Sequence, residues 1–161
     1  MKKFLVQVIG LTLLIGVGLV FFNPSVSAPN IPFLPQKSKS SELTIGDKKL
    51  TVEIADTKEM RSKGLGGRDS LASESGMLFI FPKADKYPFW MKGLQFPLDF
   101  VYIRGGEIVE LLPNIPAPAP GQKDESLAIY LPKEDVDKVL EVSSGTIEKL
   151  NLKVGDKIQL N

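Results

Sequence analysis

The chain has 161 residues, 43% of them hydrophobic, with 20 basic and 19 acidic side chains and neither cysteine nor histidine. That length suits one domain with an ordinary core. The missing residue types exclude disulfides, thiolate nucleophiles, Ser-His-Asp and Cys-His catalysis, and the two commonest soft or borderline metal ligands. Four lysines precede residue 41, and from there on 16 basic residues stand against 19 acidic ones with no basic stripe, so nucleic acid is not an expected partner.

The chain opens with Met1-Lys2-Lys3 and an apolar stretch of nineteen residues, Phe4 to Phe22, ended by Asn23-Pro24. A basic start before an apolar run reads as an export signal, and the positive-inside rule puts the remainder of the chain outside the cytoplasm. Val26-Ser27-Ala28 fits a small-x-small cleavage site, which would release a secreted domain after Ala28. The length of the run nearly spans a bilayer and favours a retained N-terminal hydrophobic helix, with the membrane as partner through residues 4–22. With no cysteine after it, a lipoprotein is excluded. Residues 23–41 are rich in Pro and Ser, lack periodicity and read as a tether, which leaves 42–161 as the domain.

Leu43-Thr44-Ile45, Gly46-Asp47 and Leu50 to Ala55 predict a hairpin that buries Leu50, Val52 and Ile54. Asp56, with Glu59 three residues on, predicts a capped helix of two turns that carries Arg61 and stops at Gly64. Gly76 to Phe81 is a continuous apolar run of strand length, expected to be buried on both faces. Phe89-Trp90-Met91 and Leu98 to Ile103 read as further strands, and Arg104-Gly105-Gly106-Glu107 turns into Ile108 to Leu112. Prolines recur from Pro113 to Pro120, which predicts a surface loop without ladder hydrogen bonds. Leu127 to Leu131 and Val136 to Val142 then read as strands, Ser144 as the cap of a short helix through Leu150, and Lys157 to Leu160 as a last strand. Many short strands with two short helices predict a mainly β fold, a compact sandwich or barrel.

Several motifs stand in series: Arg61-Ser62-Lys63-Gly64-Leu65, Arg68, Leu71, Gly76 to Phe81, Phe89-Trp90-Met91-Lys92, Pro97-Leu98-Asp99, Gly106 with Val109, the proline loop, Val139 to Val142, Gly145 and Gly155-Asp156. Together, over roughly residues 43–160, they resemble the family called domain of unknown function 192. The resemblance implies a compact, jelly-roll-like β domain, often exported, without an established activity. Two departures stand out. The family usually has a methionine where Gly66 stands, and reads Trp-Met-Lys-Asn-Thr where this chain has Gly93 and Leu94 after Lys92. Any contact made by that asparagine and threonine in relatives is absent or altered here.

The polar and aromatic members of these motifs, Arg61, Arg68, Trp90, Lys92 and Asp99, form the candidate ligand site. Arginine and lysine suit an anion and tryptophan offers a face to a sugar ring. The expected ligand is therefore a small anionic or carbohydrate-like molecule, or an envelope partner, held by a non-catalytic module; no cofactor or metal is called for. A structural reading competes, in which Arg61 or Arg68 pairs Asp99 or Glu141 to tie a helix to the sheet while Trp90 and Met91 fill the core. The alternative from another class is an envelope hydrolase with Asp99 and Glu141, or Glu110, as its carboxylate pair. The acidic runs Asp124-Glu125 and Glu134 to Asp137 lack the spacing of a calcium loop and read as solvated loops.

Overall fold

The computed structural model describes residues 38–161. The apolar stretch and the expected cleavage site lie outside them; among the described residues no helix is long and apolar enough to cross a membrane.

Seven strands form a single sheet: β1 (Ser40–Ile45), β2 (Lys48–Ala55), β3 (Ser75–Asp85), β4 (Leu98–Arg104), β5 (Glu107–Ile115), β6 (Val136–Ser143) and β7 (Ile158–Leu160), in the order β5-β4-β6-β3-β2-β1-β7. Two short helices, α1 (Lys58–Lys63) and α2 (Thr146–Lys149), complete the fold. The mainly β expectation with two helices holds. The sheet curls into a half-barrel instead of splitting into a sandwich. Its two edge strands meet at one bridge, Glu107 to Lys157, next to the Ile108 N–H donating to Asp156 O at 2.9 Å.

The β1/β2 hairpin turns at Gly46-Asp47 as expected, and Leu50, Val52 and Ile54 are buried. Gly105 and Gly106 have φ of 57° and 84° between β4 and β5, and a two-residue hairpin with both central residues in the left-handed region selects glycine. Strands β2 and β3 pair in parallel, which a hairpin cannot produce; α1 lies in the connection that crosses between them. Gly76 is needed on β3 for a different reason, because a Cβ there would come within 2.7 Å of the Glu141 carbonyl oxygen on β6.

Local boundaries depart from the expectations in identifiable ways. The tether ends earlier, since Ser40 and Ser41 already pair in β1. Thr57, not Asp56, caps α1: it has the extended conformation of a cap and its Oγ1 accepts from Met60 N at 3.2 Å. Strand β5 continues through Pro113 and Asn114 to Ile115, and an edge strand tolerates a proline because its missing N–H costs no ladder bond. Leu127 to Leu131 and Phe89 to Met91 are not strands; they share only the bridge between Phe89 and Tyr130. Ser144 does not cap α2, because Gly145 holds the cap position and the Ser144 hydroxyl bonds the Asn114 side chain at 2.5 Å.

Alternation along buried strands sorts the core onto the two faces of the sheet. The face inside the curl is aliphatic: Leu43, Ile45, Val52, Leu78, Val101, Ile108 and Leu140, closed by Ile147 and Leu152. The outer face is aromatic: Met77, Phe79, Phe89, Phe100 and Tyr102, with Leu65, Met91 and Leu94 among the residues packed on it. Edge-to-face contacts link these rings, with Phe79 and Phe89 centroids 5.0 Å apart and Phe89 and Phe100 5.7 Å apart. The candidate site lies on this aromatic face.

Candidate functional site

A cavity of about 600 Å³ opens on the aromatic face, bounded by α1, the turn Gly64 to Gly67 and the segment from Tyr87 to Leu94. Phe79, Phe81, Phe89 and Trp90 line it; Lys58, Arg61, Lys63 and Lys92 bring four cationic side chains to it; Glu141 lines it from the sheet. Trp90 is 51% exposed and does not fill the core, whereas its neighbour Met91 is buried. Alternation explains the difference, since consecutive residues of an extended segment face opposite ways.

The wall beside Lys92 is built from glycine. The Gly67 N–H donates to Gly93 O at 2.9 Å, and a Cβ on Gly66 would sit 3.2 Å from the carbonyl oxygens of both Lys63 and Lys92. Gly93 has φ of 69°, which disfavours any side chain. The two departures from the family pattern are thus a single feature, two backbone segments in close approach.

Of the expected site residues, the structure brings Arg61, Trp90 and Lys92 to the cavity together with Glu141. Arg61 is partly committed: its Nη1 donates to Asp56 O at 2.6 Å and Ile80 O at 2.8 Å, and its guanidinium lies 5.2 Å from the Phe81 ring centre. Lys92 pairs with Asp124 at 2.7 Å and lies over Trp90 at 5.7 Å, which gives the first acidic run a contact role at the mouth. Lys58 and Lys63 have no ion-pair partner among the described residues. Both escaped the sequence analysis, although their spacing of five along α1 with Arg61 between them was visible in it.

Arg68 and Asp99 are not part of this site. Arg68 forms a two-pronged pair with Glu53 on β2, at 2.5 and 2.9 Å, and Ser38 Oγ donates to the same carboxylate at 2.6 Å. The guanidinium, followed by the Ser38 hydroxyl, holds the Glu53 carboxyl down at about 2, below the ordinary carboxylate range. Asp99 is fully buried in the aliphatic interior, where its Oδ1 accepts from Asn114 N at 2.8 Å and its Oδ2 from Ile147 N at 2.9 Å. It therefore caps α2 from a neighbouring strand, which suits a carboxylate at a helix N-terminus. Neither arginine pairs Asp99 or Glu141, so the expected ties between helix and sheet are absent.

The carboxylate pair of the hydrolase alternative is separated by the sheet. Glu141 on β6 lies opposite Phe100 on β4, and Asp99 lies opposite Val142. Adjacent residues of a strand point to opposite faces, so Asp99 and Glu141 cannot line one cleft. Glu110 is engaged elsewhere, accepting from Lys133 N at 2.8 Å.

Glu141 is the unusual member. It is 4% exposed and flanked across the ladder by Met77 and Phe100, and among the described residues its carboxyl has no ion-pair or hydrogen-bond partner. Burial alone pushes it up to about 8, so the acid is mostly neutral at pH 7.

Two solved structures share the fold, and one family model matches the sequence. A structure of a candidate transcription regulator from Sinorhizobium meliloti 1021 has a TM-score of 0.70 at 28% identity, covering 79% of this chain and 98% of that one. A protein of unknown function from Novosphingobium aromaticivorans DSM 12444 has a TM-score of 0.65 at 24% identity, covering 83% of this chain and 94% of its own. No curated protein matches the sequence. The sequence model of DUF192, "Uncharacterized ACR", matches residues 41–160, which hold the cavity and all of the sheet but its first residue, and the chain belongs to that family.

Proposed function

We propose that this DUF192 domain is a non-catalytic binding module for a small ligand with a ring or apolar body and an acidic group, an aryl or sugar phosphate or carboxylate. The observation that carries this reading is the cavity of about 600 Å³ with aromatic walls and Lys58, Arg61, Lys63 and Lys92 around it. An apolar body entering such a cavity leaves water at about 25 cal/mol per Å² buried, and the lysines without partners are available to an anion at the mouth. The half-exposed Trp90 supplies a ring face at that same mouth. Direct DNA contact, one way a transcription regulator could act, is disfavoured by the acidic excess from residue 41 onward. The basic start and apolar run of residues 1–22 support display outside the cytoplasm, anchored or secreted. Protease added to intact spheroplasts should then cut the domain.

Trp90 is the sole tryptophan and reports binding directly. Titrating the full-length chain with phenyl phosphate should quench its fluorescence and raise the melting temperature, since a ligand of the folded state alone must stabilise it. Replacing Lys58 and Lys63 together by alanine should weaken binding at least about tenfold, the scale of one or two lost charge-assisted contacts. No response to aryl phosphates, aromatic carboxylates or sugar phosphates would reject the reading.

A further inference from the structure

The cavity floor holds a group that anion binding at the mouth leaves unused. Glu141 is 4% exposed, lines the cavity and has no partner among the described residues. Among the described residues the one sealed side-chain polar atom without a partner is the Tyr102 hydroxyl; the Glu141 oxygens touch the cavity instead, and an acid buried this far without a partner is uncommon in native interiors. Such a group aimed into a cavity is explained when a ligand supplies the partner.

We infer that Glu141 is a ligand-recognition residue: from the floor its carboxyl donates a hydrogen bond to an uncharged oxygen acceptor, a carbonyl or an ether, on the deep end of the ligand. This rests on the cavity being a ligand site with the acidic group at its mouth.

Three observations favour an acceptor over a cation at the floor. Glu141 is the only acidic residue lining the cavity among the described residues, and a cation would have to pass Lys58, Arg61, Lys63 and Lys92 to reach it. Two of the lining rings already have a protein cation over one face: Arg61 lies over Phe81, on which Tyr87 also stacks with centroids 3.6 Å apart, and Lys92 lies over one face of Trp90. Finally, burial with no cation in direct contact favours the neutral acid, which can donate, over the carboxylate, which cannot. The titratable and charged groups facing this carboxyl are few. Lys58, Arg61 and Lys63 come from α1 and its end, Tyr87 and Lys92 from the covering segment, and Tyr102 from β4 on the same face; the ladder neighbours Met77 and Phe100 do not titrate.

The test compares two probes of one shape, 4-acetylphenyl phosphate and 4-isopropylphenyl phosphate, titrated calorimetrically into the full-length chain. They share ring and phosphate, and only the first carries an acceptor at the far end. At pH 6.5 the acetyl probe should bind about tenfold more tightly, the worth of one net hydrogen bond. At pH 9 that preference should collapse, because a carboxylate has no proton to donate. Glu141→Gln keeps an N–H donor and should keep the preference at both pH values, whereas Glu141→Met should abolish it at both. Equal binding of the two probes in the wild type would overturn this inference and leave the binding module standing. A preference that survives in Glu141→Met would overturn it too, by placing the donor elsewhere. Silence from both probes would overturn the inference together with the module.

Discussion

Asp99 and Glu141 are the two buried acids of the described chain, on adjacent central strands and one position out of register, and they have opposite fates. Asp99 points into the aliphatic interior and accepts backbone N–H groups with both oxygens, and so joins α2 to the sheet. Glu141 points to the aromatic face and finds no such donor, so burial keeps its proton on. One acid repays its burial within the fold. The other leaves a cost unmet at a cavity, where a ligand can meet it, and sites that trade stability for recognition commonly look like this.

Substitution should break this contrast unequally. Asp99→Ala strands two buried N–H groups and uncaps α2, so a loss of about 3 kcal/mol is expected in denaturant unfolding of the full-length chain. A loss below about 1 kcal/mol would mean that the interior relaxes around the gap and that Asp99 is no keystone.

Glu141→Gln should move stability the other way, and only at high pH. Its folded-state value of about 8 lies above the ordinary 4.5, so the folded state holds the extra proton between these values. Stability therefore falls as pH rises from 4.5 through 8, and the penalty is largest above 8. The amide has nothing to ionise. Melting temperatures of wild type and Glu141→Gln should coincide near pH 4 and diverge by several degrees at pH 9, with the variant higher. Parallel curves would show that the carboxyl is solvated or paired.

The Glu53–Arg68 pair sharpens the comparison from outside the site. Its carboxyl is held at about 2 rather than 4.5, so it stabilises the fold at neutral pH and loses that contribution as pH falls through this window. The pair is about a third exposed, with side-chain exposures of 33% and 26%, which limits the neutral-pH cost of Arg68→Ala to about 1 kcal/mol. That cost should vanish near pH 2 in an acid-unfolding series. The smallest effect belongs to Trp90→Ala: half exposed at the cavity mouth, it should change stability by no more than about 0.5 kcal/mol while removing the ring face available to a ligand.

Much of the frame was legible because it is local. Alternation over Leu50 to Ile54 sets which side of β2 is buried, the two glycines after Arg104 set a turn, and the apolar run from Gly76 matches a strand covered on both faces. The family followed from motifs in series, and Arg61, Trp90 and Lys92 do converge on one cavity. The cap of α1 was misread by one residue because Asp56 and Thr57 are both competent, and only the backbone conformation at Thr57 chooses between them.

Local pattern in the chain was enough for a mainly β domain of one family, without cysteine or histidine chemistry and with its polar and aromatic motif residues in a few short runs. Which of those residues meet depends on long-range pairing. Strand register is set by pairings between segments far apart in the chain, and a shift of one residue exchanges the faces of the sheet. That register sends Asp99 inward and Glu141 outward, takes Arg68 to Glu53, and brings Lys58 and Lys63 to the mouth of a cavity they could not be assigned to from spacing alone.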